Sequence, residues 1–234
     1  PAILFCDGGH CQVEIGGKTV TVGGMSKGSG MIHPNMCTML AYVTTDAAVE
    51  APVLQTAVSA VVEETFNMIS VDGDTSTNDT LLVLANGEAG NEKIAAAEGE
   101  AYEALFAAIR LVCRDLAMQM AGDGEGATKL IEVTVQGMDT KEHARILAKS
   151  VITSSLTKAA VYGSDANWGR ILCALGYAGV DFDPNALQLY FLDEEAGAAG
   201  TDTSGKEGGS AAEKGASREE ERSAAGTDAK GRML

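Results

Sequence analysis

The sequence contains no run of about 18 apolar residues and no basic-then-apolar stretch at its start, which excludes a membrane-spanning helix and a secretory signal within it. Positive charge is scarce. With 17 Lys+Arg against 33 Asp+Glu the formal net charge is -16, and so acidic a surface repels nucleic acid and anionic membranes. Complete metal-ligand sets are missing as well. Cys6, His10 and Cys11 stand close together, but no second pair follows at a spacing that would close a zinc site. Asp72, Asp74, Ser76 and Asn78 alternate as in a calcium loop, yet the sixth position is Thr77 where Gly is needed and the twelfth is Val83 where Glu is needed. The segment from Gly23 to Ser29 has the composition of a phosphate cradle, but Lys27 precedes Gly28, the reverse of a P-loop. GDGEG, at 122–126, lacks the preceding strand and wider last interval of a dinucleotide fingerprint. These absences leave no metal and no nucleotide cofactor to expect. The five cysteines, Cys6, Cys11, Cys37, Cys113 and Cys173, are scattered and odd in number, as suits reduced thiols in a soluble, cytoplasmic protein. From Asp193 to Arg232 there is no Val, Ile, Leu, Met or aromatic residue, so this acidic tail cannot bury enough apolar surface to offset its ordering entropy and is expected to be disordered.

What is present elsewhere suffices for a core, since 45% of the 234 residues are hydrophobic. Val13 to Ile15 and Lys18 to Val22 flank Gly16-Gly17 and read as a hairpin. After Pro52, the apolar residues from Val53 to Phe66 fall at helical spacing, and so do those from Tyr102 to Met120, where Cys113 and Met120 read as core. Leu81 to Ala85, Lys129 to Val135 and Leu187 to Phe191 read as strands, Lys141 to Ala160 as one helix, and Asp165 as the cap of another. The only Trp, Trp168, reads as packing. Helices and strands mixed in this way predict an α/β fold.

The segment from Ser26 to Asp46 organises the chain. It opens as a Gly- and Ser-rich loop, is stiffened by Pro34, and turns apolar at Thr38. A Thr at the head of a strand behind such a loop can attack the carbonyl before it. Cleavage between Cys37 and Thr38 would leave Thr38 with an α-amine beside its hydroxyl, a self-contained base and nucleophile. Spacing alone leaves the plainer reading open, in which Thr38 merely suits a strand.

Four words in order, KGSGMIHPNMCTML, NMISVDGDTSTNDT, GDGEGATKLIEV and DANWGRILCALGYAG, resemble the ornithine acetyltransferase family, the glutamate N-acetyltransferases of arginine biosynthesis. The resemblance covers roughly Ile3 to Phe191. It implies a layered sandwich of β-sheets covered by helices, and a precursor that cuts itself before a Thr into an α and a β chain. Residues 1–37 then end the α-chain part, 38–192 form the β-chain catalytic part, and 193–234 are the tail, which has no family counterpart. Cys37 replaces the Ala that often stands before the cut. Because the sequence starts at Pro1 and covers only part of the family pattern, it reads as a fragment without most of the α chain and the end of the β chain.

The resemblance implies glutamate N-acetyltransferase activity that moves the acetyl group of N-acetylornithine to glutamate through acetyl-Thr38, with no cofactor. Acetyl-coenzyme A is a further donor for some relatives. Thr38 is the implied nucleophile, and Lys27, Thr38 and Glu125 contact substrate, Lys27 facing a carboxylate and Glu125 an ammonium. Two α and two β chains associate in the family, where a Thr-Gly pair far upstream forms the oxyanion hole and a C-terminal Asn reaches the substrate. This sequence has no Thr-Gly dipeptide. Two alternatives stay open: an amidohydrolase or aminopeptidase that uses the same Thr with water, and an inactive fragment.

Overall fold

A computed structural model describes residues 3–7, 9–35, 38–192, 201–202 and 231–233. The chain forms two compact units, residues 1–132 with 233–234, and residues 133–232.

The first unit is built on a five-stranded sheet in chain order, β1 (Ile3–Asp7), β2 (His10–Ile15), β3 (Lys18–Lys27), β4 (Leu40–Thr45) and β5 (Thr80–Ala85). Neighbouring strands from β1 to β4 are antiparallel, and β4 and β5 are parallel. Gly16 and Gly17, at φ 58° and 74°, make the expected two-residue turn between β2 and β3. Alternation then decides which face is core. Cys11, Val13, Ile15, Val20, Val22, Ala41 and Val43 are buried on one side. His10 and Cys11, adjacent in β2, therefore point to opposite faces, which parts two of the residues that first suggested a zinc site.

Helix α1 (Ala51–Glu64) carries Pro52 in its first turn and buries Val53, Ala57, Val61 and Val62. It packs on α2 (Glu100–Gly122), which lies across β2 and β3. Phe66, expected to end α1, instead sits fully buried in a 3-10 turn. Burial pushes the Cys113 thiol up to about 12, so this cysteine behaves as an inert core residue.

Strand β3 runs five residues beyond its expected end, through Gly23-Gly24, and α2 explains why. A Cβ on Gly24 would lie 2.9 Å from Leu116 Cδ1 and 3.1 Å from the Tyr42 carbonyl oxygen, so the helix can lie this close only over a glycine. Gly24→Ala is expected to destabilise the fold by about 1–3 kcal/mol through overpacking, read as a lower urea midpoint. An unchanged midpoint would mean that α2 rides higher on the sheet.

The opposite face of the sheet carries Met25, Tyr42 and Leu82, consecutive across β3, β4 and β5 in register, and Leu84. Their side chains are 43–70% exposed.

In the second unit, β6 (Val133–Val135), α3 (Lys141–Thr153), α4 (Ser155–Tyr162), α5 (Trp168–Gly176) and β7 (Tyr190–Phe191) surround a core of Leu147, Val151, Ala174 and Leu175. The single helix expected over 141–160 is broken at Ser154, whose hydroxyl accepts the Thr157 N–H and caps α4. The cap of α5 is Asn167, not Asp165. The Asn167 side-chain Oδ1 accepts the Arg170 N–H, and Asp165 accepts from the Asn167 side-chain amide instead. Beyond residue 192 only two short strands, Thr201–Asp202 and Gly231–Met233, are described, so the expected disorder of Asp193 to Leu234 otherwise lies outside the described residues. Among the described residues no helix is long and apolar enough to cross a membrane.

Candidate active site

Lys27, the last residue of β3, pairs in register with Leu40, the first of β4, so residues 28–39 leave the sheet and return to it at the same level on neighbouring strands. This excursion is held closely. A Cβ on Gly28 would meet Ile32 Cδ1 at 2.7 Å and Met120 Sδ at 3.1 Å, so any larger residue there would push these side chains aside. Met31 stands at φ 57°, a left-handed conformation that costs a non-glycine residue about 1–2 kcal/mol. An acidic partner offsets the cost. The carboxylate of Asp72 accepts the N–H of Met31 at 2.7 Å and of Ile32 at 3.2 Å.

The rest of the 70–79 segment continues this bed. Val71 N–H donates to the Ile32 carbonyl at 2.7 Å. His33 Nδ1 lies 3.0 Å from Ser70 Oγ, and Thr75 Oγ1 donates to the His33 carbonyl at 3.0 Å. Asp79 accepts the N–H of Met39 at 2.7 Å, and Thr80 N–H donates to the Met39 carbonyl at 2.8 Å. The β4–β5 ladder is thereby carried one residue past the strand end, with a side chain standing in for a backbone acceptor.

Thr38 is the half-buried residue between the gripped loop and the fully buried Met39. Its hydroxyl donates to Met31 Sδ at 3.5 Å. A thioether is a weak acceptor, so this contact orients the oxygen without tying it to a strong partner. Met36 and Cys37 lie outside the described residues, and with them the carbonyl that self-cleavage would attack.

Glu125 comes from the loop after α2. Its N–H donates to the Ser29 carbonyl at 2.9 Å, and its Oε2 would lie 3.1 Å from a Cβ on Gly30, with Asp72 Oδ2 at 3.8 Å from the same point. The structure thus places Lys27 at the start of one loop, Thr38 near its end, and Glu125 beside Ser29 and Gly30 of the same loop. Lys27 and Glu125 are exposed and of opposite sign, as holding a zwitterionic small molecule would need. The site adds Asp79, and it adds Asp72 in a role other than the calcium pattern in which the sequence showed it. Their word, NMISVDGDTSTNDT, was one of the four that carry the family resemblance, but their partners lie 40 and 41 residues away in the chain.

The model of the ArgJ family matches residues 7–222. The chain belongs to the ArgJ family. The arginine biosynthesis bifunctional protein ArgJ of Symbiobacterium thermophilum is 57% identical over 182 residues, covering 78% of this chain and 45% of that relative. The protein of the same name from Geobacillus stearothermophilus is 55% identical over 178 residues, covering 76% and 43%. A chloroplastic ArgJ from Physcomitrium patens is 56% identical, covering 78% and 35%. The crystal structure of ArgJ from Bacillus halodurans superposes with a TM-score of 0.63 at 50% identity, covering 64% of this chain and 70% of that one. Its similarity extends the mixed α/β class to a solved ArgJ fold. The chain spans less than half the length of these curated ArgJ relatives. The loop, its bed and Glu125 all fall inside the matched residues.

Proposed function

We propose that this chain carries the nucleophile and two substrate-holding side chains of a glutamate N-acetyltransferase. The observation that carries the reading is Thr38 itself, held at the head of β4 with its hydroxyl on a weak partner, in a chain of the ArgJ family. In the first stage Thr38 Oγ1 attacks the Cys37 carbonyl carbon and the C–N bond breaks. An ester forms, and the hydroxyl proton ends on the new α-amine. Water then hydrolyses that ester and frees the N-terminus of Thr38. In the second stage the amine takes the Oγ1 proton as the oxygen attacks the acetyl carbonyl of N-acetylornithine, and ornithine leaves with the proton. The amine of glutamate then attacks acetyl-Thr38, releasing N-acetylglutamate and restoring the hydroxyl.

Lys27 binds a substrate carboxylate and Glu125 an ammonium. Thr38 carries the acetyl group, so no cofactor takes part. Acetyl-coenzyme A is a second donor in this scheme. The setting is cytoplasmic, and the two halves of each cut chain associate as two α and two β chains. The exposed row of Met25, Tyr42 and Leu82 supports association, since an apolar sheet face of this kind is ordinarily buried in a layered fold.

The test is to incubate the self-cleaved protein with N-acetylornithine alone and to look for one acetyl group on the peptide beginning with Thr38. Glutamate should then remove it as N-acetylglutamate. Free acetate formed at the same rate without glutamate would replace the transferase by an amidohydrolase.

Cleavage should not separate the pieces. β3 lies before the cut and β4 after it, and six residue pairs join them in register. Residues 1–37 and 38–234 are expected to co-elute in gel filtration and to part only under denaturing conditions. Early loss of the shorter piece from the native protein would contradict the β3–β4 pairing.

A further inference from the structure

We infer that Asp79 is a positioning residue for cleavage at Thr38, acting through the N–H of Met39. This inference rests on the self-processing reading and adds to it the group that aims the nucleophile.

A peptide unit is planar, and the Cα of Thr38 is one of the six atoms in the plane that contains the Met39 N–H. Asp79 grips that N–H at 2.7 Å, while Thr80 grips the Met39 carbonyl at 2.8 Å. With both faces of Met39 fixed and its side chain fully buried, the Cα of Thr38 has a set position. What is left free is rotation about the bonds of Thr38 itself. Attack on the Cys37 carbonyl closes a five-membered ring of Oγ1, Cβ, Cα, N and the carbonyl carbon, so a displacement of the Cα moves the oxygen off line. Misplacement of reacting atoms by about 1 Å can slow a reaction about 100-fold.

The acceptor is suited to this task. Asp79 is 9% exposed, and an ionised acceptor holds an N–H more strongly than a carbonyl does. The turn before it is fixed independently, because Ser76 Oγ donates to Asn78 Oδ1 at 2.9 Å and accepts the Asn78 N–H at 3.3 Å. Asp72 holds the other end of the same excursion at Met31, whose sulfur receives the Thr38 hydroxyl. One segment therefore grips the chain on both sides of the bond to be cut.

The experiment compares wild type, Asp79→Ala, Asp79→Asn and Asp79→Glu in the 234-residue chain. The rate of appearance of residues 38–234 is read by intact mass spectrometry, together with a thermal melting curve and hydrogen exchange at the Met39 amide. Asp79→Ala should melt cooperatively, lose protection at Met39, and cleave about 10- to 100-fold more slowly than wild type. Asp79→Asn, which keeps an acceptor in place, should recover most of the rate. If Asp79→Ala does not fold, Asp79→Glu decides instead, since its extra methylene shifts the acceptor and should slow cleavage while leaving a cooperative melt. Cleavage by a folded Asp79→Ala, or by Asp79→Glu in its stead, at the wild-type rate would overturn the positioning role while leaving the nucleophile intact. A wild-type chain that never cleaves would overturn the self-processing reading itself, and the role of Asp79 with it.

Discussion

Replacing Thr38 by Ala is expected to leave residues 1–234 as one uncut polypeptide and to abolish acetyl transfer. Both results follow from one atom. In the proposed scheme the hydroxyl that attacks the Cys37 carbonyl is the hydroxyl that later carries the acetyl group, and no amine can be released beside it until the first attack has occurred. Loss of a covalent nucleophile costs an enzyme several powers of ten, so transfer by Thr38→Ala should fall by at least roughly a thousandfold. Thr38→Ser keeps a β-hydroxyl and should retain part of each activity. Its loss of the β-methyl frees the side-chain rotamer, so cleavage should slow rather than stop. Intact mass spectrometry reads the cut directly. A Thr38→Ala chain that still parts between Cys37 and Thr38 would remove the basis of the mechanism.

The hairpin at Gly16-Gly17 and the burial stripes of α1 and α2 were legible because each depends on neighbours in sequence. Glycines permit the turn, and apolar spacing selects the helix face. The features that sequence hid depend on distant partners. Gly23-Gly24 reads as a loop until Leu116 of α2 is known to lie over it. Ser154 sits inside a good helical pattern, yet its hydroxyl offers the backbone a competing partner and splits the helix. Asp165 and Asn167 both suit a cap, and two residues of register separated them.

At the site the division is the same. Thr38, Lys27 and Glu125 stood in words that could be matched as strings, and the structure places Lys27 and Thr38 on one loop with Glu125 beside it. Asp72 and Asp79 stood in a string that was matched too, but their work is to hold backbone 40 residues away, which no spacing within 67–80 expresses. The same string had invited a calcium reading. Two of the would-be calcium-loop positions are occupied instead: Asp72 by the N–H groups of Met31 and Ile32, and Asn78 by Ser76.

The 234-residue chain by itself is expected to turn over N-acetylornithine very slowly, and a longer protein that includes the family's upstream and C-terminal segments to do so several powers of ten faster. Thr38 supplies the nucleophile of the proposed scheme, but attack on an acetyl carbonyl builds negative charge on its oxygen, and donors aimed at that charge are worth about 3 kcal/mol each, roughly a hundredfold in rate. The family resemblance assigns those donors to a Thr-Gly pair far upstream, and this sequence has no Thr-Gly dipeptide. The chain also spans only 45% of the Symbiobacterium thermophilum relative. Two missing donors alone account for about four powers of ten. Self-cleavage should suffer less, because its attack is intramolecular. The two activities are therefore expected to separate in the short chain, which should cut itself while barely releasing ornithine. Adding the upstream segment should raise ornithine release far more than it raises cleavage. Equal turnover by the short and the completed proteins would mean that residues within 1–234 stabilise the oxyanion, and the assignment of that role to the upstream pair would fail.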